Sequence, residues 1–168
     1  DLSNWDVSNV EYMSYMFQYA SLFNQPLNEW DVSSVVIMYS MFQGARSFNQ
    51  DLSSWETSSV TDMSYMFYSA YLFNGEINGW DVSSVLEMEY MFAYDTSFNQ
   101  PLDAWDVSAV QDISSMFTSA FAFNQPLNTW DVSSVTEMDY MFSYARAFNQ
   151  DLNSWNTENV VRIYDMFA

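Results

Sequence analysis

Tryptophan returns at Trp5, Trp30, Trp55, Trp80, Trp105, Trp130 and Trp155, every 25 residues and without one insertion or deletion. A fixed period of a few tens of residues means one supersecondary unit stacked on copies of itself, each copy burying its apolar face against its neighbours. The chain is therefore read as a solenoid, with residues 1–168 forming a single domain of about seven repeats. Its function is to be sought on a surface that repeats. The sequence opens at Asp1-Leu2, just ahead of an expected strand, and stops at Phe167-Ala168, partway along an expected helix. Solenoids shield their ends with polar caps, so the expectation is an uncapped excerpt of a longer array.

The unit is read most easily over residues 27–50, where Leu27, Trp30, Asp31, Val32, Ser33, Val35, Met38, Met41, Phe42, Ala45, Phe48, Asn49 and Gln50 recur in the other copies with few changes. From Val35 the apolar residues advance by three, three, one and three, the stripe of a helix of about three turns. Ser59 with Asp62, Ser84 with Glu87 and Ser134 with Glu137 have capping-box spacing. Asp62, Glu87, Asp112 and Glu137 would then complement the helix dipole. Ahead of the helix, Leu27, Trp30 and Val32 read as a short strand around an outward Asp31. Pro26, Pro101 and Pro126 sit where a strand has not yet begun. A buried Asn column at Asn49 and its equivalents is expected to serve loop backbone from copy to copy. The expected architecture is a curved α/β solenoid, with short parallel strands on one face and short helices on the other. Helices need about 8–10 Å between axes while paired strands need about 4.8 Å, and that mismatch would bend the stack.

The phrases WDVSSVTEMDYMF and FNQPLNTWDVSSV resemble the 25- to 26-residue repeats of BspA-like leucine-rich-repeat surface proteins, and the resemblance spans the whole chain. The L-x-x-W-x-V phrase is similar to the L-x-x-L-x-L core of that motif, with Val35 standing where its usual Asn would be. The resemblance implies a microbial surface setting, extracellular, and a role in adhesion or in host and matrix contact. It implies no catalytic residues.

The chain carries 22 Asp and Glu against three Arg, for a formal charge of −19. Nucleic acid and anionic membrane would be repelled rather than steered in. No run is long enough to insert into a membrane as a helix. With no Cys and no His, thiol and imidazole chemistry are absent together. General acid and base work would fall to carboxylates that are repeated rather than singled out, and no nucleophile is paired with a base. The expectation is no enzyme and no cofactor.

Three surface features compete for function. The first is the column Asp6, Asp31, Glu56, Asp81, Asp106 and Asp131, ending in Asn156, where like charges one step apart repel by about 0.9 kcal/mol even in water. Two readings offset this: each Asp accepts hydrogen bonds from nearby backbone or Ser, as in Asx turns, or the column holds cations or a cationic ligand, calcium being the natural hard ion. The second feature is tyrosine: Tyr15, Tyr65, Tyr90 and Tyr140 at one repeat position, Tyr19, Tyr94 and Tyr144 at another. These rings either serve as rigid partner contacts or pack on one another. The third is departure from the repeat, with Gly75-Glu76-Ile77 in place of Gln-Pro-Leu, Gly79 after it, and Asp95 in place of the inward Ala. Arg46 and Arg146 share a position and are expected to pair with acids. Together these features point to a non-catalytic cell-surface binding or adhesion module, presenting repeated faces to a protein or glycan partner on a surface or matrix. The alternative is a structural filament that self-associates by head-to-tail stacking of its ends.

Overall fold

The spacing of the apolar residues has a different cause from the one expected of it. The computed structural model describes residues 2 and 4–168, and no helix forms among them. Among the described residues the only strand-like pairing is one isolated parallel bridge between successive copies, from Tyr12 through Ile37, Asp62, Glu87, Asp112 and Glu137 to Arg162. This overturns the α/β solenoid of leucine-rich-repeat-like units with helices on one face and strands on the other. The architecture is instead a stack of 25-residue coils built almost wholly of turns.

Each turn closes with an N–H donating to the carbonyl three residues earlier: Trp30 to Leu27 at 3.0 Å, Val35 to Val32 at 2.9 Å, Met41 to Met38 at 3.1 Å, Ala45 to Phe42 at 2.9 Å and Phe48 to Ala45 at 3.0 Å. A tight turn brings its first and fourth residues together on one side. When both are apolar, both point inward, so a chain of turns repeats its apolar residues every three positions. Val35, Met38, Met41, Phe42 and Ala45 are fully buried accordingly. The Leu-x-x-Trp phrase is one such turn and not a strand. The bridge column lies where the first helical turn was expected.

Two left-handed residues per copy keep these turns from winding into a helix. Tyr15 and Tyr19 have φ of 63° and 58°, and Ser40, Tyr65, Ser69, Tyr90, Tyr94, Ser115, Ser119, Tyr140 and Tyr144 repeat that conformation in later copies. A positive φ at the third residue is what a type II turn requires, and it reverses the helical sense at a cost of about 1–2 kcal/mol for an L-residue. Hydrogen bonding between copies offsets that cost. Met13, Tyr15, Phe17 and Tyr19 donate their N–H groups to the carbonyls of Ile37, Tyr39, Met41 and Gln43 in the next copy, at 2.6–3.0 Å. Alternate N–H groups thus run along the stack, where a helix would have sent them back along its own chain. Gly44 occupies the second left-handed position of its copy with φ of 69°, and an added Cβ would lie 2.6 Å from the Tyr19 ring. Without helices there is no mismatch of spacing between the two sides.

Side chains close the remaining backbone accounts. Ser59 Oγ–H, expected to cap a helix, donates to the Ser33 carbonyl of the preceding copy at 2.9 Å. The Asn column does its expected work from an exposed place: Asn74 N–H donates to Asn49 Oδ1 and Asn99 N–H to Asn74 Oδ1, each at 2.9 Å. Indole groups do the same inside. Trp55, Trp80 and Trp105 donate Nε1–H to the carbonyls of Leu27, Leu52 and Ile77, each at 3.0 Å. The core between them is a set of ring columns, with Phe67 5.7 Å from Phe92 and 3.9 Å from Phe73, and Trp55 6.1 Å from Trp80. Such stacked pairs add about 0.5–1.5 kcal/mol each beyond the area they bury.

Candidate functional site

The outward Asp column is held by its own local turns. Ser33 donates both its N–H, at 3.1 Å, and its hydroxyl, at 2.6 Å, to Asp31 Oδ1. Ser8 and Ser83 do the same for Asp6 and Asp81, and the N–H groups of Ser108 and Ser133 donate to Asp106 and Asp131. Glu56 stands exposed in the same column. The Ser hydroxyl, then the Ser N–H, hold Asp6, Asp31, Asp81 and Asp131 below the usual carboxylate range. These are the Asx turns that the sequence offered as one reading. Among the described residues no three acidic side chains are arranged to hold a metal ion.

A second acid column lies on the bridges. Asp62, Glu87, Asp112 and Glu137 occupy successive bridge positions, so their carboxylates follow one another at strand spacing, about 4.8 Å. Glu89 and Asp139 stand beside them, two residues on from Glu87 and Glu137. These acids are half-buried or buried. Burial first, and the neighbouring carboxylates led by Asp112 second, raise Glu87 and Glu89 above the usual glutamate range. Arg162 relieves one end, with its guanidinium 2.6 Å from both Glu137 and Asp139. These positions carried the helix-cap expectation, and the absence of a helix removes it.

The tyrosines border this column. Tyr15, Tyr65, Tyr90 and Tyr140 occupy the first left-handed position and Tyr19, Tyr94 and Tyr144 the second, so the unusual backbone aims them off the stack. Tyr19 and Tyr144 are more than 60% exposed, whereas Tyr65 and Tyr90 are half-buried. Rings meet along the column: Tyr65 stacks on Tyr90 at 4.7 Å, and Tyr39 lies 5.3 Å from Tyr15 and 5.5 Å from Tyr65. Tyr68 adds an edge contact to Tyr94 at 5.3 Å. Sequence reading missed Tyr39 and Tyr68 because each stands one residue out of register. It also passed over the break at Ser115 and Ser119, where both tyrosines of one copy are replaced. There the surface opens into two adjoining clefts that share Tyr90, Ser115 and Tyr140, one of about 140 Å³ beside the acids and one of about 330 Å³ beside Tyr94 and Tyr144.

The irregular positions resolve differently. Asp95 is fully buried, with Oδ1 accepting the N–H groups of Ser97 and Phe98 at 3.2 and 3.3 Å and Oδ2 without a partner. Burial pushes its carboxyl well above the usual range, against those two bonds. There is no helix end for it to oppose; its side chain replaces the turn bond that Phe73 N–H makes to the Ala70 carbonyl. Gly75 lies against Phe73 and the Gln50 carbonyl. Arg46 and Arg146 meet aromatic rings rather than the expected acids, 5.3 Å from the Tyr71 centroid and 4.9 Å from that of Phe121.

No curated protein and no solved structure matches the chain. One protein family does, over residues 1–99 and again over residues 72–168. That match brings no leucine-rich-repeat or BspA-like evidence, and the turn-built backbone lacks the strand and helix such repeats require, so that resemblance is set aside. The chain belongs to the family described as Mycoplasma protein of unknown function, DUF285.

Proposed function

We propose that the chain is a non-catalytic binding module of the cell surface, presenting a repeated face to a protein or glycan partner. The observation that carries this reading is the outward tyrosine surface. Two tyrosine positions per copy are fixed in left-handed backbone, and several of the rings stand well exposed beside clefts. Rigid rings with a polar tip give contact area at little conformational cost. Repetition along one chain lets weak contacts combine, with gains of about 10²–10⁴ when the ligand matches the spacing.

The test is binding of immobilised matrix proteins and surface glycans to the full chain and to the Tyr94→Ser, Tyr144→Ser variant. Serine already fills that position at Ser69 and Ser119, so the variant retains the backbone. Loss of binding with an unchanged melting temperature supports the reading. Unchanged binding moves the contact away from the tyrosine face, and a chain that binds nothing but polymerises end to end puts the filament in its place.

A further inference from the structure

We infer that the gap in the tyrosine columns at Ser115, floored by Glu89 and Asp112, is a receptor slot for an arginine side chain of a protein partner. This deepens the binding-module reading and rests on it. Tyr90, Ser115 and Tyr140 occupy the same repeat position with φ of 55°, 57° and 56°, so Ser115 leaves vacant the place where a ring would otherwise lie. The flanking rings are two copies apart, about 9.6 Å at strand spacing. A flat group in van der Waals contact with both rings needs about 7–8 Å, so the slot admits one with about 2 Å to spare. A guanidinium is such a group, and its charge is attracted by aromatic faces.

The acids beside the slot lack a cation at one end only. Arg162 already neutralises Glu137 and Asp139 on the far side, which leaves Glu89 and Asp112 lining the same cleft. Ser114 lines it too. This residue is 9% exposed and its hydroxyl has no hydrogen-bond partner, an unmet polar atom of the kind a ligand satisfies. The carboxylates follow one another along the stack and do not converge on a point, which suits a broad planar cation better than a metal ion.

The molecule contains the proposed contacts in its own side chains. Arg162 supplies a guanidinium bridging carboxylates at the bridge and neighbouring positions, and Arg46 and Arg146 each lie over an aromatic ring of an adjacent copy, at 5.3 and 4.9 Å. The slot offers both kinds of contact at once to a guanidinium from outside. The overall charge of −19 would steer a basic partner in, and would do so less as salt rises.

The experiment titrates the full chain with a short end-capped arginine peptide, with its lysine counterpart and with the citrulline peptide, which is planar but uncharged. Binding is followed by calorimetry and by the ring resonances of Tyr90 and Tyr140. The arginine peptide is expected to bind and to shift both rings, citrulline to fail, and lysine to bind more weakly. Ser115→Tyr, which restores the ring of the neighbouring copies, should weaken arginine binding by about tenfold or more, the factor that goes with losing a desolvated cation–π contact. Asp112→Asn keeps an acceptor for the Ser114 N–H and should weaken binding with the slot still open, so the test does not depend on one variant folding. Equal binding of the arginine and citrulline peptides, or equal arginine binding by the wild-type chain and both variants, would overturn the inference. If matrix or glycan binding survives Ser115→Tyr while the arginine peptide fails on the wild-type chain, the slot is refuted and the binding module stands. If neither ligand class binds, both readings fall.

Discussion

Asp81 and Glu87 sit in one copy, six residues apart, each in a column of acids that repeats along the stack, and their environments push their carboxyl groups in opposite directions. Asp81 is exposed and takes two hydrogen bonds from Ser83, so its charged form is favoured in the fold. Glu87 is part-buried on the bridge column with Asp112 and Asp62 as bridge partners, so its charged form is disfavoured. The difference teaches that an acidic column is not one kind of object. What decides is burial among like charges. Asp62 and Asp112 on the bridge column accept N–H bonds from Ser64 and Ser114 just as Asp81 does from Ser83, but Glu87 is part-buried between those two carboxylates while Asp81 is exposed.

The largest expected effect removes the scaffold that holds both columns in register. Trp80 is 3% exposed, stacked on Trp55 and bonded to the Leu52 carbonyl. Trp80→Ala should cost about 3–5 kcal/mol in denaturant unfolding. Trp5, at 55% exposed, should cost far less when truncated. Equal losses at the two positions would show that burial between copies does not set the stability.

Asp95 comes next and sharpens the comparison, because it carries the behaviour of the bridge column to full burial. A carboxyl raised in the fold binds more protons there than in the unfolded chain, so its contribution falls as pH rises above the ordinary carboxylate range of about 4. Asp95→Ala places there the residue found at Ala45, Ala70, Ala120 and Ala145. At pH 7 it should stabilise by about 1–3 kcal/mol, the cost of an unsatisfied buried polar atom. Near pH 2.5, below the ordinary Asp value of about 3.9, Asp95 is protonated in both states, and the part of the gain that comes from the buried charge should vanish. Thermal melts at the two pH values read this directly, and a variant less stable at both would mean that the bonds from Ser97 and Phe98 outweigh the burial.

Much of the core was legible in the sequence, because Val35, Met38, Met41, Phe42 and Ala45 have to face inward in any stack of these copies. The Asx turns were legible for a similar reason, since Asp31 and Ser33 are two residues apart and settle their bond locally. The helix was misread because a chain of four-residue turns and a helix both repeat apolar residues at steps of three. What separates them is the destination of the N–H groups, and the carbonyl that accepts from Tyr15 belongs to Tyr39, 24 residues on. The bridge column is hidden for the same reason: Ser59 with Asp62 and Ser84 with Glu87 have capping-box spacing, but no helix forms there for them to start. The gap at Ser115 was visible in the sequence as two missing tyrosines, but it had meaning only once the tyrosines were known to stack.

Smaller effects break the two columns apart by sign. Glu87→Gln removes a charge from between Asp62 and Asp112, and each neighbouring pair repels by about 0.9 kcal/mol. The variant should therefore melt higher than the wild type at low salt, with the gain fading toward 1 M as screening shortens to about 3 Å. Lowering the pH from 7 toward 5 should reproduce the gain in the wild type, because the raised Glu87 and Glu89 take up protons first. Asp81→Ala should do the reverse by a smaller amount. A carboxyl lowered in the fold stabilises above its unfolded pKa and loses that contribution as pH falls through its folded value, so this variant should melt lower at pH 7 and draw level with the wild type in strong acid. If Glu87→Gln and Asp81→Ala shift the melt in the same direction, the distinction between the columns is lost.

All of this depends on the claim that alternate N–H groups cross from copy to copy instead of winding a helix. Scalar couplings through hydrogen bonds, measured by NMR on the labelled chain, report the partner of each amide. The account predicts couplings from Tyr90 N–H to the Ser114 carbonyl and from Tyr94 N–H to the Thr118 carbonyl, at bonds of 2.9 and 2.7 Å. Couplings from Tyr90 and Tyr94 to carbonyls four residues earlier in their own copy would contradict it and restore the helix.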